Sequence, residues 1–193
     1  MKRESIRAFI AIELPQEIKD TLAHWQAQLK EGGNLPAKWV SPESIHLTLK
    51  FLGNIDSSMV PHITQAMAHA AQGIAPFRLE LGQLGAFPNI KRPRVVWLGV
   101  EGEFAPLKSL HEGIERALEP LGFPKEERAL SPHLTLGRVK ERVSSQETQK
   151  LEALLKTCEG KKGDIPVEAI HLIRSTLTPR GAVYSTIASV KLR

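Results

Sequence analysis

Apolar residues recur with two different periods along this chain, and together these periods predict a succession of helices and strands. Apolar positions three or four residues apart predict helices, whereas short alternating or continuous apolar runs that end near glycine or proline predict strands. The predicted helices cover residues 16–30, 58–71, 104–121 and 145–157. The predicted strands cover residues 7–14, 38–40, 46–52, 77–84, 94–100, 133–139, 167–174 and 182–190, with a Gly- and Pro-rich loop at 85–93.

The second half of the chain repeats the order of elements of the first half. The segment His-Leu-Thr-Leu at residues 46–49 recurs at 133–136, a shift of 87 residues. Pro76 and Pro166, each expected to open a strand, are 90 residues apart. Because the two shifts are so similar, we expect two diverged copies of one unit related by a pseudo-two-fold axis.

Strands that come in pairs between helices, joined by hairpin-like loops, indicate an α+β fold with mainly antiparallel sheets. We expect a bilobal molecule in which two such sheets face each other across a central cleft, with the helices outside. No long linker separates the halves, so residues 1–193 are predicted to form a single domain of two interleaved, duplicated lobes.

Composition limits the class of protein. With 41% hydrophobic and 24% charged residues the chain is expected to be globular, and its formal charge of +5 modestly favours a polyanionic partner such as nucleic acid. The single cysteine, Cys158, cannot form an internal disulfide, which favours a reducing compartment. No apolar run approaches the roughly 20 residues that span a bilayer. We therefore expect a soluble, cytoplasmic protein with no membrane partner.

The repeated segment also predicts a site. Side chains two residues apart share one face of a strand, so His46 and Thr48 point one way while the neighbouring leucines and Phe51 point the other. His133 and Thr135 likewise share a face in the second copy. Burying such polar faces without partners would be costly, so we expect both to line a solvated cleft.

Two imidazoles suit the hydrolysis of a phosphate diester. One takes a proton from water while the other protonates the leaving alkoxide, and histidine titrates in the range that allows either role near neutral pH. Thr48 and Thr135 could bind the non-bridging phosphate oxygens. The sequence has no carboxylate, Cys or His cluster at metal-ligand spacing, so we expect no metal and no other cofactor.

The tandem His-x-Thr segments, with Phe-Leu-Gly following the first and Gly-Arg following the second, resemble the RNA 2′,3′-cyclic phosphodiesterase family. This is the LigT-like family, formerly called 2′-5′ RNA ligases, of the two-histidine phosphoesterase superfamily. The similar segments are residues 7–12, 38–53, 85–88, 94–100, 131–138 and 170–175.

The resemblance implies hydrolysis of 2′,3′-cyclic RNA ends to 2′-phosphates, with a reversible 2′-5′ ligation in vitro. It also implies that His46 is the proton donor to the leaving 3′-oxygen and that His133 is the base, although pseudo-symmetry leaves the reverse assignment open. The implied partner is RNA with a cyclic phosphate end, with tRNA fragments as one candidate source, and we expect a monomer.

Charged residues near the two segments are further candidates. Arg138 could bind the phosphate, but it has the strand parity of Leu134 and Leu136, so it reaches the cleft only through a twist or bulge, which Gly137 would permit. Lys50 has the parity of His46 and either lends positive charge to the cleft or is simply solvated.

Aromatic and basic residues complete the candidate set. Phe9, Trp39 and Phe87 lie near predicted strand ends, where a base could stack, whereas Trp97 is assigned to packing. The basic loop at residues 89–94 could contact RNA phosphates or be an ordinary charged loop. The remaining histidines lack a repeated motif and are expected to be structural or surface residues: His24, His62, His69, His111 and His171.

Two alternative functions stay open. One is a related two-histidine hydrolase that acts on a small cyclic nucleotide or on 2′-5′ oligoadenylate. The other is a non-catalytic RNA-binding module, for which substitution of His46 or His133 would leave binding intact. Salt-dependent affinity for long RNA would favour the RNA-end enzyme over the small-substrate hydrolase.

Overall fold

A computed structural model describes residues 4–33, 36–140, 143–157, 163–179 and 181–193, so Cys158 lies outside the described residues. The described chain forms four α-helices, namely α1 (Gln16–Gly33), α2 (Val60–Ala71), α3 (Phe104–Leu118) and α4 (Ser145–Thr157). It also forms nine strands, namely β1 (Ser5–Ile12), β2 (Ala37–Trp39), β3 (Leu47–Asp56), β4 (Phe77–Phe87), β5 (Val95–Gly102), β6 (His133–Val139), β7 (Asp164–Val167), β8 (Ala169–Thr178) and β9 (Gly181–Lys191).

The strands form two antiparallel sheets, which confirms the predicted α+β fold class. The first sheet has the order β3-β1-β8-β9, and the second has the order β2-β6-β5-β4-β7. The strand that begins at the first repeated segment, β3, lies next to β1 in the first sheet. The strand that begins at the second, β6, lies next to β5 in the second sheet. The order β3-β1-β8 therefore matches the order β6-β5-β4, as the duplication predicts.

The two halves of the chain exchange strands. β2 and β4 come from the first half of the sequence but belong to the second sheet, whereas β8 and β9 come from the second half and belong to the first sheet. Each sheet is thus built from both halves of the chain.

Alternation along the strands gives each sheet two different faces. In β1, Ile10 and Ile12 belong to the main hydrophobic core together with helix residues such as Leu22 of α1 and Ile114 of α3. Phe9, on the opposite face of β1, belongs to a separate small cluster with Ile173 and Ala11. Burying the apolar face against the helices leaves the other face of the sheet available for a cleft.

Three sequence predictions about the strands were wrong. The predicted strand 167–174 is two strands, because β7 pairs with β4 in the second sheet and β8 pairs with β1 in the first. Pro166 does not open a strand but lies within β7, opposite Arg78. Proline is tolerated there because β7 is at the edge of its sheet, where no ladder hydrogen bond is required on one side. β4 also continues to Phe87, into the predicted loop 85–93.

In the part of the chain that the structure describes, no helix is both long enough and apolar enough to cross a membrane.

Candidate active site

The cavity that contains both repeated segments has a volume of about 390 Å³ and is lined by strands of both sheets. All five residues that the sequence nominated for catalysis or substrate binding line it, namely His46, Thr48, His133, Thr135 and Arg138. A volume of this size is in the range of small-ligand sites. The two copies of the repeat therefore contribute to one common site.

Each histidine is oriented by a backbone carbonyl two residues earlier in the chain. Nδ1 of His46 is 2.9 Å from the carbonyl oxygen of Ser44, and Nδ1 of His133 is 2.7 Å from that of Ser131. A carbonyl oxygen can only accept a hydrogen bond, so Nδ1 carries the proton in both rings. Nε2 is thus the nitrogen that gains or loses a proton in each imidazole.

Aromatic rings pack against both imidazoles. Phe9 stacks on His46 with 4.5 Å between ring centroids, and the edge contact with Tyr184 spans 5.1 Å. On the other side of the cavity, Phe87 makes an edge contact of 4.9 Å with His133. These contacts and the carbonyl hydrogen bonds restrict the rotation of both imidazoles.

Burial changes the proton affinity of His46. Desolvation lowers the pKa of His46 below its ordinary value, while the hydrogen bond to the Ser44 carbonyl and the negative charge of Glu13 partly offset this effect. The sign follows from the charged form of imidazole being less well solvated inside the protein. In the free protein His46 is therefore mainly neutral at neutral pH, with Nε2 able to accept a proton.

A bulge in β6 brings Arg138 to the cavity. Thr135 pairs with Trp97 and Gly137 pairs with Val96, so Leu136 is an extra residue without a partner in β5. Arg138 then pairs with Val95 and faces the same side of the sheet as Thr135. With strict alternation Arg138 would face away from the cavity, so the bulge is what brings it there. The bulge lies next to Gly137, as the sequence indicated.

A corresponding bulge in β3 makes two predictions wrong. Thr48 pairs with Ala11 and Lys50 pairs with Ile10, so Leu49 is the extra residue. Lys50 therefore leaves the face of Thr48 and forms a buried salt bridge of 2.6 Å with Glu115. Both residues still line part of the cavity, but the ammonium group is already paired with a carboxylate there. Phe51, which was expected on the apolar face, instead lines the cavity and is 67% exposed.

Several residues line the cavity that sequence reasoning missed. Arg7 and Phe51 come from neighbouring strands of the first sheet, and Ser175 and Tyr184 come from β8 and β9. Arg7 has the parity of Phe9, so alternation along β1 could have identified it. No sequence pattern indicated Tyr184, because its place beside His46 depends on the pairing of strands distant in the chain.

The other nominated residues differ in location. Phe87 lines the cavity, and Phe9 lines it from beneath His46 but is only 3% exposed, too buried to stack on a base. Trp39 lies outside it, with the ammonium of Lys30 5.8 Å from its ring. Trp97 packs against Phe87, in agreement with its assignment to packing. The histidines without a motif also lie outside the cavity: His24, His62, His69, His111 and His171.

Within the described residues, no group of three or more His, Cys, Asp or Glu side chains is arranged to hold a metal ion. The chemistry that the cavity itself offers is proton transfer at two Nε2 atoms, hydrogen bonding by two threonine hydroxyls and binding of negative charge by exposed arginines.

The fold and the site thus define a duplicated α+β protein with one His-x-Thr segment from each repeat in a shared cavity. The family model described as LigT-like phosphoesterase matches residues 12–97 and, a second time, residues 98–184. The chain therefore belongs to the LigT-like phosphoesterases, an enzyme family, and the resemblance inferred from the sequence is confirmed.

Curated relatives match over nearly the whole chain. One from Methanothermobacter thermautotrophicus, named RNA 2′,3′-cyclic phosphodiesterase, is 33% identical over 187 residues, covering 97% of this chain and 99% of the relative. Another with the same name, from Methanocaldococcus jannaschii, is 35% identical over 182 residues, covering 94% of this chain and 98% of the relative.

Solved structures show the same fold. The crystal structure of the protein TT0787 of Thermus thermophilus matches with a TM-score of 0.77 and 30% identity, covering 97% of this chain and 98% of that one. The crystal structure of Escherichia coli LigT complexed with 3′-AMP matches with a TM-score of 0.77 and 26% identity, covering 98% and 99%.

Proposed function

We propose that this protein is an RNA 2′,3′-cyclic phosphodiesterase that opens cyclic phosphate ends to 2′-phosphates by acid–base catalysis with His46 and His133. The observation that carries the proposal is the matched pair of imidazoles, each with Nδ1 bound to a backbone carbonyl and Nε2 left to exchange protons in one cavity. The relatives named RNA 2′,3′-cyclic phosphodiesterase support the choice of substrate.

In the proposed reaction His133 Nε2 removes a proton from water, and the resulting hydroxide forms a new bond to phosphorus. The bond from phosphorus to the 3′-oxygen breaks, and His46 Nε2 donates a proton to that oxygen. The products are a 2′-phosphate and a free 3′-hydroxyl. The same steps with a 5′-hydroxyl in place of water would join RNA ends through a 2′-5′ bond, and their reverse would cleave that bond and restore the cyclic phosphate.

The low pKa of His46 is compatible with its role as the acid. In the free protein burial disfavours its charged form, but the cyclic phosphodiester carries a negative charge. A negative charge next to an imidazole favours the protonated form, so substrate binding raises the fraction of His46 that can donate a proton. The acid would therefore be charged chiefly when substrate is present.

Three side chains are proposed to hold the phosphate. Thr48 and Thr135 lie two residues after the two histidines and line the same cavity, so their hydroxyls can donate hydrogen bonds to non-bridging oxygens. Arg138 is exposed at the cavity wall and adds positive charge for the developing negative charge on phosphorus.

We further propose that the natural partner is RNA with a 2′,3′-cyclic phosphate end, with tRNA fragments as one source, and that the protein acts as a single-domain monomer in the cytoplasm. The basic charge of +5 supports a polyanionic substrate, and the single cysteine suits a reducing compartment. Sedimentation analysis would test the monomer, since a dimer would have twice the mass.

Turnover by histidine variants tests the proposal. Protein treated with EDTA should hydrolyse an oligonucleotide with a 2′,3′-cyclic end, and His46→Ala or His133→Ala should each reduce kcat by about 10²- to 10⁴-fold, the usual contribution of one acid or base. His24→Ala is the matched control, because His24 is outside the cavity and its hydrogen bond among the described residues is to Gln28 of the same helix. Undiminished turnover in either catalytic variant would refute the mechanism.

A further inference from the structure

A second groove, of about 790 Å³, adjoins the catalytic cavity. Val95 and Arg138 line both spaces, so the two are adjacent at these residues. The groove is lined by the loop between β4 and β5, by the end of β6 and by Thr148 of α4. Its basic residues are Lys91, Arg92, Arg94, Arg138 and Lys140.

We propose that this groove, called the basic groove below, binds the backbone phosphates of the nucleotides that precede the cyclic end of an RNA strand. The inference rests on the proposed function and makes it more specific, because it states that the substrate is an RNA strand rather than a free cyclic nucleotide. A strand whose 3′ end is in the cavity can continue only in the 5′ direction, so one exit groove is sufficient.

The basic side chains of the groove form no salt bridge with a carboxylate of the residues that the structure describes. All five are exposed, and none has a carboxylate within 4 Å among the described residues. Glu152 lies near enough to Lys91 to be influenced by its charge, but its carboxylate pairs with Lys156. Some basic residues elsewhere on the surface are paired, as in Arg78 with Asp164 and Arg174 with Glu4. Positive charge left unpaired at one place is available to a polyanion.

The strand register adds a separate argument. Lys38 of β2 lies directly opposite Arg138 of β6, and both are exposed. Opposite residues of antiparallel strands share a face, and like charges in this position destabilise the pair. A phosphate bound between Lys38 and Arg138 would remove that repulsion, which supports an anion site at the junction of the cavity and the groove.

The groove extends away from the catalytic pair. Because of the bulge, His133 and Arg138 pair with Gly99 and Val95, four positions apart on β5, and a strand advances about 3.3 Å per residue, so their Cα atoms are about 13 Å apart along the strand. Lys140 lies farther in the same direction. Arg138 thus lies at the junction with the cavity, where its side chain can extend toward the reacting phosphate, and the other basic residues of the groove would contact nucleotides that do not react.

Phosphate contacts should dominate in the groove. Its uncharged lining residues are Pro93, Val95, Val139, Val143 and Thr148, so no aromatic ring is present there for a base to stack on. The hydroxyl of Thr148 already donates to the carbonyl of Ser144. Contacts to phosphates position a strand without reading its bases, so we expect little sequence preference in this part of the substrate.

The test compares two substrates in one variant. Arg92→Ala combined with Lys140→Ala should raise KM about tenfold for a cyclic-ended oligonucleotide and leave kcat/KM for a nucleoside 2′,3′-cyclic phosphate unchanged. Its affinity for single-stranded RNA should also depend less on salt, by about 0.7 in the log–log slope for each lost phosphate contact. Hydrolysis of the small substrate shows that the variant is folded.

Lys108→Ala combined with Lys125→Ala is the matched control, because it removes two charges that are already paired on other parts of the surface. A KM for the oligonucleotide that is unchanged in the groove variant, or raised equally in the control, would overturn the proposal. Equal losses on both substrates would also overturn it, since they would mean that the residues serve the catalytic cavity or the fold.

Binding measured without turnover separates this inference from the proposed function. Fluorescence anisotropy with an oligonucleotide that ends in a 3′-phosphate reports on the groove even if no cyclic end is hydrolysed. Weaker binding by the groove variant alone would support the basic groove independently of catalysis. Equal binding by wild type, groove variant and control would refute it while leaving the two-histidine mechanism intact.

Discussion

Lys50 lies in the most strongly buried charge cluster of the described structure, and its replacement should be costly. Its ammonium is 2.6 Å from Glu115 Oε2 and 2.6 Å from the carbonyl of Pro124, and both charged side chains are less than 10% exposed. Glu115 Oε1 has no hydrogen-bond partner among the described residues, and His111 is 3.6 Å from it. Lys50→Met would therefore leave a buried carboxylate whose remaining polar neighbours are the backbone N–H of Glu126, 3.1 Å from Oε2, and His111.

The size of the effect follows from this geometry. Breaking a buried ion pair by removing one partner costs about 3–5 kcal/mol of the free energy of unfolding, because the remaining charge stays desolvated. For a chain of this size this corresponds to a fall in Tm of about 6–20 °C. Lys108→Met is the control, since Lys108 forms a 3.9 Å exposed pair with Glu112 on the same helix, which is worth less than about 1 kcal/mol.

Urea unfolding of the two variants and of Lys50→Met combined with Glu115→Leu measures these costs. The double variant removes both charges and should recover much of the stability lost by Lys50→Met. A loss below about 1 kcal/mol for Lys50→Met, or a double variant that is less stable than the single one, would refute the account of Lys50 as a structural residue of β3.

Two further predictions concern the site. Because burial lowers the pKa of His46, protonating both histidines requires a lower pH than usual, and the acid limb of kcat/KM should therefore lie below about pH 6.5. Glu13→Gln removes a negative charge that raises the pKa of His46, so this variant should move the acid limb to a still lower pH. A limb above about pH 6.5 in a pH–rate profile would contradict this. Gly137→Ala should lower stability by about 1–3 kcal/mol and reduce kcat/KM, because the added Cβ would lie 2.9 Å from the Trp39 ring beside the bulge that directs Arg138. Unchanged urea unfolding and unchanged turnover would show that the bulge tolerates a side chain.

Much of the fold and the central pair of the site could be predicted because both depend on short-range patterns. In each segment the histidine and the threonine are only two residues apart, and the bulge comes after the threonine, so the two side chains share a face as alternation predicts. The repeat then related the two segments without any knowledge of the tertiary structure. The family match to both halves of the chain agrees with that inference.

The errors begin where a bulge changes the parity of a strand. Beyond Leu49 in β3, the bulge moves Lys50 to the core side and Phe51 to the cavity. Leucine gives no signal that a position will be unpaired, so alternation alone could not reveal the shift. In β6 the neighbouring Gly137 provided such a signal, and there the possibility of a bulge was recognised.

Exchange of strands between the sheets is a second source of error. The apolar pattern continues through β7 and β8 with only Glu168 between them, although the two strands belong to different sheets. Tyr184 reaches His46 because β9 pairs with β8, which in turn pairs with β1. Such contacts depend on long-range pairing, which local periodicity does not encode.

The product of hydrolysis tests the central claim most directly. Protein treated with EDTA is incubated with an oligonucleotide that ends in a 2′,3′-cyclic phosphate, and ³¹P NMR distinguishes the two possible monoesters. We predict the 2′-phosphate from the wild type and unreacted substrate from the variant that combines His46→Ala with His133→Ala. A 3′-phosphate product, or hydrolysis by the double variant, would contradict the account.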